Sequence, residues 1–333
     1  MKKCAVIILN WNGLGLLKEF LPAASRNTVS DVADLIVADN GSTDESVAWV
    51  RANHPEVKLI SFSENYGFAK GYNKAIAECR NYPLVLLLNS DVEVTPGWLT
   101  PLMAYMEEHP ECGALQPKIR SHRHKEMFEY AGAAGGYLDK NGYPYCRGRL
   151  FGEIEEDRGQ YDTVARVAWA SGAALMTRTS LYMETGGLDE RFFAHMEEID
   201  LCCRINAAGY EVVCVPASTV YHVGGASLRQ GNPRKTYLNF RNNLLLLHKN
   251  LPRRQGRRRL FVRRLYDSLA WGMFILRMDW KNAGAILKAH RDFRKMRPLY
   301  TALPETDTLR ALPGATHNII IDHYLKHKKK IEI

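Results

Sequence analysis

Three carboxylates stand within four consecutive positions in the second half of the chain: Glu197, Glu198 and Asp200. From Glu198 onward the apolar residues recur at helical spacing, and Gly209 is a suitable residue to end that helix. The helix dipole favours acidic side chains in a first turn, so the cluster has a purely structural explanation. The alternative is chemical, because a neighbouring like charge raises the pKa of a carboxylate and makes it a better general base.

Two further acids and one histidine are candidates for ligand binding. Asp39 follows the predicted strand 35–38 and precedes Asn-Gly, so it is either a turn residue or a carboxylate that hydrogen-bonds a nucleobase or ribose. Asp91 follows the predicted strand 84–88, where a carboxylate suits Mg²⁺ or Mn²⁺ carried with a diphosphate. His222 lies beside glycines and is either a structural histidine or a metal ligand.

The order of predicted elements supplies a framework for these residues. Strands are predicted at 4–9, 35–38, 57–62, 84–88 and 211–215, and helices at 16–24, 45–53, 70–79, 96–108 and from 198. Ser42 with Glu45, and Thr95 with Pro96, are predicted to begin two of the helices. Alternation of strands and helices predicts an α/β fold with a mostly parallel, doubly wound sheet. Such sheets bind ligands at the carboxyl ends of their strands, where the polar residues Asn10, Asp39, Asn65, Gly67, Asn89 and Asp91 stand.

Other segments narrow the class of protein. The chain has neither the Gly-x-Gly-x-x-Gly pattern after its first strand nor a P-loop, which argues against a dinucleotide dehydrogenase and a P-loop enzyme. Residues 120–165 are predicted to be an insertion or lid with little regular structure. The run 169–176 follows, and its small residues, among them Ser171 and Gly172, permit close approach of a backbone or a ligand.

Composition indicates a folded protein of one or two domains. The chain has 333 residues, of which 46% are hydrophobic. Its seven scattered cysteines, without a Cys-x-x-Cys pair, favour reduced thiols in the cytosol. No stretch approaches the roughly 20 apolar residues that a membrane span needs.

The net charge of +9 comes from one segment, because residues 249–297 hold fifteen Lys or Arg and only three Asp. Apolar residues alternate with these arginines in a helical pattern, which predicts an amphipathic segment beside an anionic membrane surface. The alternative is a helix pair that packs on the rest of the protein and exposes a solvated basic face. No nucleic-acid-binding motif accompanies the arginines, so nucleic acid is disfavoured as a partner.

Taken together, these motifs resemble the GT-A-fold glycosyltransferases of family 2 over most of residues 4–245. The segments 7–12, 38–44 and 65–69 are similar to the nucleotide-sugar half of that family, 89–91 to its Asp-x-Asp motif, and 169–173, 186–190 and 192–201 to its acceptor half. The similarity is closest to the rhamnosyltransferase-like branch that builds bacterial surface polysaccharides.

The resemblance implies a role for each candidate. Asp39 would contact the base, and the donor would also be held by Asn10, Asn65, Gly67, Asn73 and Asn89. Asp91 and His222 would bind Mg²⁺ or Mn²⁺. Glu198 would be the general base, with Glu197 and Asp200 shaping its field, and Trp169, Ser171 and Gly172 would form the acceptor platform. Two positions depart from the family pattern, since Asn89 replaces an acid of the metal motif and Glu198 replaces the usual aspartate base.

The implied function is inverting transfer of a sugar from a nucleotide-diphospho-sugar, with dTDP-rhamnose as a candidate, to a hydroxyl of a glycan or polyprenyl-diphosphate-linked acceptor. The implied domains are a GT-A catalytic domain at 1–245, divided into nucleotide-sugar (1–118) and acceptor (119–245) halves, and a basic helical region at 246–333. The expected location is cytoplasmic, peripheral at the inner face of the plasma membrane. The alternatives are a nucleotidyltransferase and an inactive relative that serves as a membrane-associated assembly partner.

Overall fold

A computed structural model describes residues 2–224, 231–301 and 303–331. The strands are β1 Cys4–Asn10, β2 Ala33–Asp39, β3 Lys58–Ser61, β4 Leu84–Leu88, β5 Val92–Val94, β6 Cys112–Ser121, β7 Gly136–Leu138, β8 Pro144–Cys146, β9 Arg149–Leu150, β10 Glu153–Ile154, β11 Ala165–Val167, β12 Ala174–Arg178 and β13 Glu211–His222. The helices are α1 Leu14–Thr28, α2 Ser46–Asn53, α3 Gly67–Glu78, α4 Leu99–Glu108, α5 Thr179–Glu184, α6 Glu197–Ala207, α7 Pro233–Asn250, α8 Arg253–Leu276, α9 Trp280–Met296 and α10 Ile319–Tyr324. Within these ranges no helix has both the length and the apolar character needed to cross a membrane.

The main sheet has nine strands and helices on both faces. Its order is β11-β13-β6-β12-β4-β1-β2-β3, and β5 pairs with β13. The half formed by β4, β1, β2 and β3 is parallel, whereas β12 runs antiparallel between β4 and β6. Such a sheet between helix layers is the predicted α/β architecture.

The alternating direction of side chains along the buried strands explains why a hydrophobic core lies on each face of the sheet. In β1, Cys4, Val6 and Ile8 face one hydrophobic core together with residues of α1 and α4. Ala5 and Ile7 face the other core, which includes residues of α3, α6 and α7. Successive side chains of a strand point to opposite faces, so a continuous apolar run is the pattern of a strand buried on both sides.

The antiparallel strand β12 shapes the edge where a ligand is expected. Ala174 begins β12 opposite Leu88, the last residue of β4. The backbone N–H of Asn89 donates to Ala173 O at 2.9 Å, so the loop after β4 lies against the segment before β12. On the other side, β5 pairs with the end of β13 and sets Val92 opposite His222.

Two predicted helix caps are wrong, although α2 begins within one residue of its predicted start at Glu45. Asp44, not Ser42, accepts from the backbone N–H of Ser46 at the start of α2. Ser42 instead accepts hydrogen bonds from Asn10 and from the backbone of Asn12. The spacing of a capping box was present, but competition from the polar loop after β1 redirected the Ser42 hydroxyl.

The second helix start is displaced by three residues. Thr95 donates its hydroxyl to Thr219 O at 2.8 Å and does not cap a helix, and α4 begins at Leu99. By contrast, the predicted end of α6 is confirmed, because Gly209 follows its last residues with a φ of +90°.

Residues 120–165 have more regular structure than predicted. They contain a separate four-stranded antiparallel sheet in the order β10-β9-β8-β7. Its strands are only two or three residues long, which is too short for an alternating pattern to stand out in the sequence.

The predicted domain boundary at 245 falls inside α7. Leu244, Leu245, Leu246 and Leu247 all belong to the same hydrophobic core as α3 and α6. The helix α7, which precedes most of the basic segment 249–297, therefore packs on the rest of the protein. The inner face of α8 is also buried, through Leu260, Arg263 and Asp267.

Candidate active site

Asp91 and His222 form a buried pair at the carboxyl edge of the sheet. The antiparallel pairing of β5 with β13 brings them together, and His222 Nε2 lies 3.1 Å from Asp91 Oδ1. The two residues are 6% and 7% exposed. Burial alone would lower the pKa of His222, but the carboxylates of Asp91 and Glu129 raise it to about 10. Burial alone would raise the pKa of Asp91, yet the contact with His222 holds it below its usual value.

Glu129 is a member of this group that sequence reasoning missed. One of its oxygens lies 3.6 Å from His222 Nδ1, and the same carboxylate accepts the backbone N–H of Ala131. Glu129 comes from the insertion, where Phe128 forms an isolated bridge with Arg120 of β6. Glu129 is not part of a sequence motif, and no regular structure was predicted for its segment. Its position beside His222 therefore becomes visible only in the folded structure.

The donor set at this pair suits a divalent cation. A carboxylate and an imidazole are both common ligands of Mn²⁺, and a carboxylate suits Mg²⁺. His222 Nδ1 is buried and has no hydrogen-bond partner among the described residues. The part of the chain that the structure describes holds no group of three or more His, Cys, Asp or Glu arranged for a metal. An ion held by Asp91 and His222 would therefore need further ligands, which a diphosphate can supply.

Glu197 and Glu198 form a second pair, at the start of α6. Burial raises the pKa of Glu198 to about 7. Burial and the neighbouring Glu198 raise the pKa of Glu197 well above its usual value. The Oε2 atoms of both side chains are buried and lack hydrogen-bond partners in the described ranges. Such uncommitted carboxyl groups are available to a reacting hydroxyl.

Gly172 lies between the Glu197–Glu198 pair and the loop after β4. A Cβ atom at Gly172 would lie 3.7 Å from Glu198 Cβ and 3.7 Å from the Phe68 ring. Gly172 precedes Ala173, whose carbonyl accepts from Asn89. The structure thus places three predicted segments at one edge: the loop 89–91, the small residues at 171–173 and the start of α6.

Asp200 is hydrogen-bonded within the protein, and its negative charge helps to raise the pKa of Glu197, so its part in shaping the field of Glu198 stays a prediction. It is fully buried, and its oxygens accept from Arg204, from Lys249 at 2.8 Å and from Asn250 at 2.8 Å. These partners come from α6 and α7, so Asp200 joins the two helices and has no oxygen left for substrate chemistry.

Trp169 and Ser171 are also structural, which corrects the predicted acceptor platform. The Trp169 indole is 3% exposed, its N–H donates to Tyr137 O at 2.9 Å, and a Cβ at Gly136 would lie 2.0 Å from its ring. Ser171 Oγ donates to Ala131 O at 2.6 Å. A sugar needs an open aromatic face for stacking, and this ring offers none.

The loops after β1 and β2 form a hydrogen-bonded polar unit. Asn10 Nδ2 donates to Asp39 Oδ1 at 3.0 Å, and Asp39 Oδ2 accepts from the backbone of Ser42 at 3.0 Å. Both oxygens of the buried Asp39 therefore have protein partners. Asn10 Oδ1 is buried and has no partner in the described part of the chain. The contact of Asn10 with the donor, like the contact of Asp39 with a base, stays a prediction.

Asn40 organises the loop at 65–67 and was also missed. Its Nδ2 donates to Asn65 Oδ1 and Gly67 O, both at 3.0 Å, and its Oδ1 accepts from the backbone of Tyr66. The sequence does contain a signal for this role, because Asn40 stands directly after β2 at the ligand-binding edge of the sheet. Asn40 was given no role of its own beyond the turn that follows Asp39.

Asn73 is committed to the protein, which corrects its predicted contact with the donor. Its Nδ2 donates to Leu188 O at 2.8 Å, and its Oδ1 accepts from Tyr182 Oη and Leu188 N at 2.6 and 2.9 Å. Asn73 thereby fastens α3 to the segment that precedes α6.

Comparison with known proteins identifies the family. The model of glycosyl transferase family 2 matches residues 5–141. The N-acetylglucosaminyl-diphospho-decaprenol L-rhamnosyltransferase of Mycobacterium tuberculosis is 30% identical over 223 residues, which are 62% of this chain and 71% of that protein. The chain belongs to glycosyl transferase family 2. As a family 2 glycosyltransferase it is also similar to the rhamnosyltransferase WbbL of Escherichia coli K12, at 26% identity over 49% of this chain and 61% of WbbL.

Solved structures confirm the GT-A fold of this family 2 glycosyltransferase. Residues 1–349 of S. aureus TarS in complex with UDP-GlcNAc superpose with a TM-score of 0.58 at 16% identity, covering 90% of this chain and 86% of that one. GalNAc-T7 with UDP, GalNAc and Mn²⁺ gives a TM-score of 0.55 at 16% identity, covering 73% of this chain and 47% of GalNAc-T7. Membership of the family also argues against the nucleotidyltransferase alternative.

Proposed function

We propose that this glycosyltransferase inverts configuration, depends on a divalent metal, and transfers a sugar from a nucleotide-diphospho-sugar to a hydroxyl. The observation that carries the proposal is the junction of β4 and β12. There the Asp91–His222 pair and Glu198, whose Oε2 has no hydrogen-bond partner among the described residues, flank the same short segment. Separate sites for a charged leaving group and for a general base are what a single displacement requires.

Asp91 and His222 would hold Mg²⁺ or Mn²⁺, which supplies Lewis-acid stabilisation of the departing diphosphate. His222 must lose its proton before it can bind the ion, because Nε2 faces Asp91 as a protonated partner with a pKa of about 10. Glu129, beside Nδ1, would orient the imidazole.

Glu198 would take the proton of the acceptor hydroxyl through Oε2. Its pKa of about 7 leaves much of it as carboxylate near neutral pH, while making that carboxylate a stronger base than an ordinary glutamate. Glu197 would contribute by its negative charge whenever it is ionised. Gly172 would leave room for the acceptor, since the distance from a Cβ built there to the Glu198 side chain is only 3.7 Å.

The donor and acceptor are proposed from relatives. The mycobacterial relative is named as an L-rhamnosyltransferase that acts on N-acetylglucosaminyl-diphospho-decaprenol. A hexosyltransferase of low-salt glycan biosynthesis in Haloferax volcanii, Agl10, is 24% identical over 72% of this chain and 74% of that protein. These names support dTDP-rhamnose as the first donor to test and a polyprenyl-diphosphate-linked sugar as the first acceptor.

The outer face of α8 supports contact with an anionic membrane. One exposed stripe begins with Arg254 and Arg258 and continues with Phe261, Leu265, Leu269 and Leu276. Leu276 and the following Met278 are 86% and 76% exposed. Arginines at one end and apolar side chains at the other suit phosphate headgroups and the acyl boundary. A two-fold dimer through this face would set arginines against arginines if its α8 helices were parallel, and arginines against apolar side chains if they were antiparallel.

A donor screen tests the proposed reaction. Purified protein with Mn²⁺ or Mg²⁺ is supplied with dTDP-rhamnose, UDP-GlcNAc or GDP-mannose and a polyprenyl-diphospho-GlcNAc acceptor, and nucleoside diphosphate release is measured. We expect metal-dependent release from one donor, lost in Asp91→Ala and retained in the surface control Glu107→Gln. Absence of release from every donor, together with absence of metal-dependent nucleoside diphosphate binding, would support the inactive-relative alternative instead.

A further inference from the structure

The segment that leads into α6 has an unusual backbone. Phe193, His195 and Met196 all have positive φ, at 68°, 67° and 74°. Residues other than glycine rarely adopt this region, and three such residues in four positions persist only where surrounding structure imposes them. Glu197 and Glu198 follow directly, so the path of this segment decides where the two carboxyl groups lie.

Asn242 of α7 donates hydrogen bonds to the backbone of this segment. It is fully buried, and its side-chain Nδ2 lies 2.9 Å from Phe192 O, 2.8 Å from Ala194 O and 2.7 Å from His195 O. An amide has two hydrogens, so three carbonyl oxygens share them. This one side chain therefore satisfies the carbonyl groups of the irregular turn.

Arg241 reinforces the contact. Its Nε donates to Asn242 Oδ1 at 2.8 Å, which fixes the orientation of the amide with its nitrogen toward the turn. Its terminal nitrogen donates to Phe192 O at 2.8 Å. The side chain is 8% exposed, so these charge-assisted hydrogen bonds form in a largely desolvated place.

The held segment also reaches the nucleotide-sugar side of the site. A Cβ at Gly67 would lie 3.9 Å from the ring of Phe193, and that ring is half exposed. Gly67 belongs to the loop that Asn40 organises. Because Asn40 holds this loop by its own hydrogen bonds, a shift of residues 192–196 would displace the start of α6 rather than the loop.

We propose that Arg241 and Asn242 form a clamp that sets the position of Glu198 for proton transfer, so that both are positioning residues of the reaction. The proposal rests on the proposed role of Glu198 as general base. A clamp of this kind acts on the geometry of the carboxyl group rather than on substrate, because neither side chain faces the junction of β4 and β12. Its removal should slow turnover more than it weakens donor binding.

The neighbouring Asn243 offers a matched control. It is also buried on α7, but its amide nitrogen donates to Gly142 O at 2.6 Å in the insertion and its oxygen accepts from Arg263 of α8, both away from residues 192–196. Asn242→Ala and Asn243→Ala therefore remove the same side chain from adjacent positions of one helix.

Two measurements on the whole 333-residue chain test whether the clamp positions Glu198. In Asn242→Ala we expect backbone amides of residues 193–199 to exchange hydrogen at least tenfold faster, and kcat to fall at least tenfold while the donor KM changes less than threefold. Asn243→Ala should leave both the exchange of these amides and kcat close to wild type. Unchanged exchange at 193–199 in Asn242→Ala, or an equal loss in both variants, would overturn the proposal.

The two proposals fail in distinguishable ways. If Glu198→Gln retained full turnover, the base assignment would fall, and faster exchange in Asn242→Ala with unchanged kcat would reduce the clamp to a structural support. If Glu198→Gln abolished turnover but Asn242→Ala left kcat intact, only the clamp would be wrong.

Discussion

Glu198 combines burial with an uncommitted oxygen, and this sets the expected pH dependence of the reaction. Because burial raises its pKa to about 7, kcat should rise as pH increases through about 7 and then level off. The pH profile of kcat in wild type checks this. A profile that is flat between pH 5.5 and 8.5 would contradict a base with this pKa.

The same pKa predicts a stability effect of defined sign. The folded protein keeps a proton on Glu198 at pH values where the unfolded chain has lost it, since an unperturbed glutamate titrates near ~4.3. The free energy of unfolding should therefore fall as pH rises between the unfolded pKa and about 7. Urea unfolding should show a shallower fall in Glu198→Gln. An equal slope in both proteins would mean that Glu198 is not buried as described.

We expect substitutions in and beside the Asp91–His222 pair to weaken metal binding to different degrees. Asp91→Asn should abolish metal-dependent binding of a nucleoside diphosphate, and Glu129→Gln should weaken it by about tenfold, the low end for partners that orient a ligand. Calorimetric titration of Mn²⁺ with the diphosphate checks both. The exposed Glu126→Gln, from the same insertion, is the control, and equal effects at 126 and 129 would refute a specific role for Glu129.

At the level of residues, the sequence predicts best where candidate side chains follow the ends of strands. Asp91 and His222 are in contact, as two ligands of one metal ion must be, while the metal itself and the base role of Glu198 stay predictions. Asn73 and Trp169 were misassigned for a common reason: each is a polar or aromatic residue that the fold uses internally. Whether such a residue faces a ligand or another helix depends on tertiary packing, which spacing does not encode.

Among the elements, α8 carries the membrane prediction, because its outer face has several exposed apolar side chains. Leu265→Ser, Leu269→Ser and Leu276→Ser together should abolish flotation with phosphatidylcholine vesicles that contain phosphatidylglycerol, because the apolar part of the stripe is lost. Val32, Val164 and Met183 are exposed apolar residues outside α8, so their triple Ser variant is the control. Equal flotation of both variants, or flotation that does not need anionic lipid, would refute this surface.

Most elements were predictable because their patterns are strong. The buried strands β1, β2 and β4 each contain an unbroken apolar run, and α6 has a clear helical period. The short strands β7 to β10 and the start of α4 were not predictable, since two or three residues carry no period and the Thr95 hydroxyl found a partner 124 residues away.

At the scale of the whole molecule, a buried ionic cluster fastens the C-terminal helices to the insertion. Asp267 of α8 accepts from Arg263 at 3.0 Å and lies 2.9 Å from His290 of α9. Arg263 also donates to Asn243 of α7, which in turn binds Gly142. The cluster explains why the basic region is not a detached tail.

Removing one member of this cluster should destabilise the folded protein. Asp267→Ala leaves the buried guanidinium of Arg263 without its carboxylate, which is expected to lower the free energy of unfolding by about 3–5 kcal/mol. Urea denaturation checks this against Asp31→Ala, an exposed position expected to cost under about 0.5 kcal/mol. Similar midpoints for both variants would mean that the cluster does not hold the helices.

The central claim is that Glu198 deprotonates the acceptor in a single displacement. The most direct measurement follows transfer from the donor found in the screen to its acceptor, in wild type, Glu198→Gln and the surface control Glu107→Gln, and determines the anomeric configuration of the product by NMR. The account predicts an inverted product, a loss of at least a hundredfold in kcat for Glu198→Gln, and wild-type turnover for the control. A product with retained configuration, or wild-type turnover by Glu198→Gln, would contradict it.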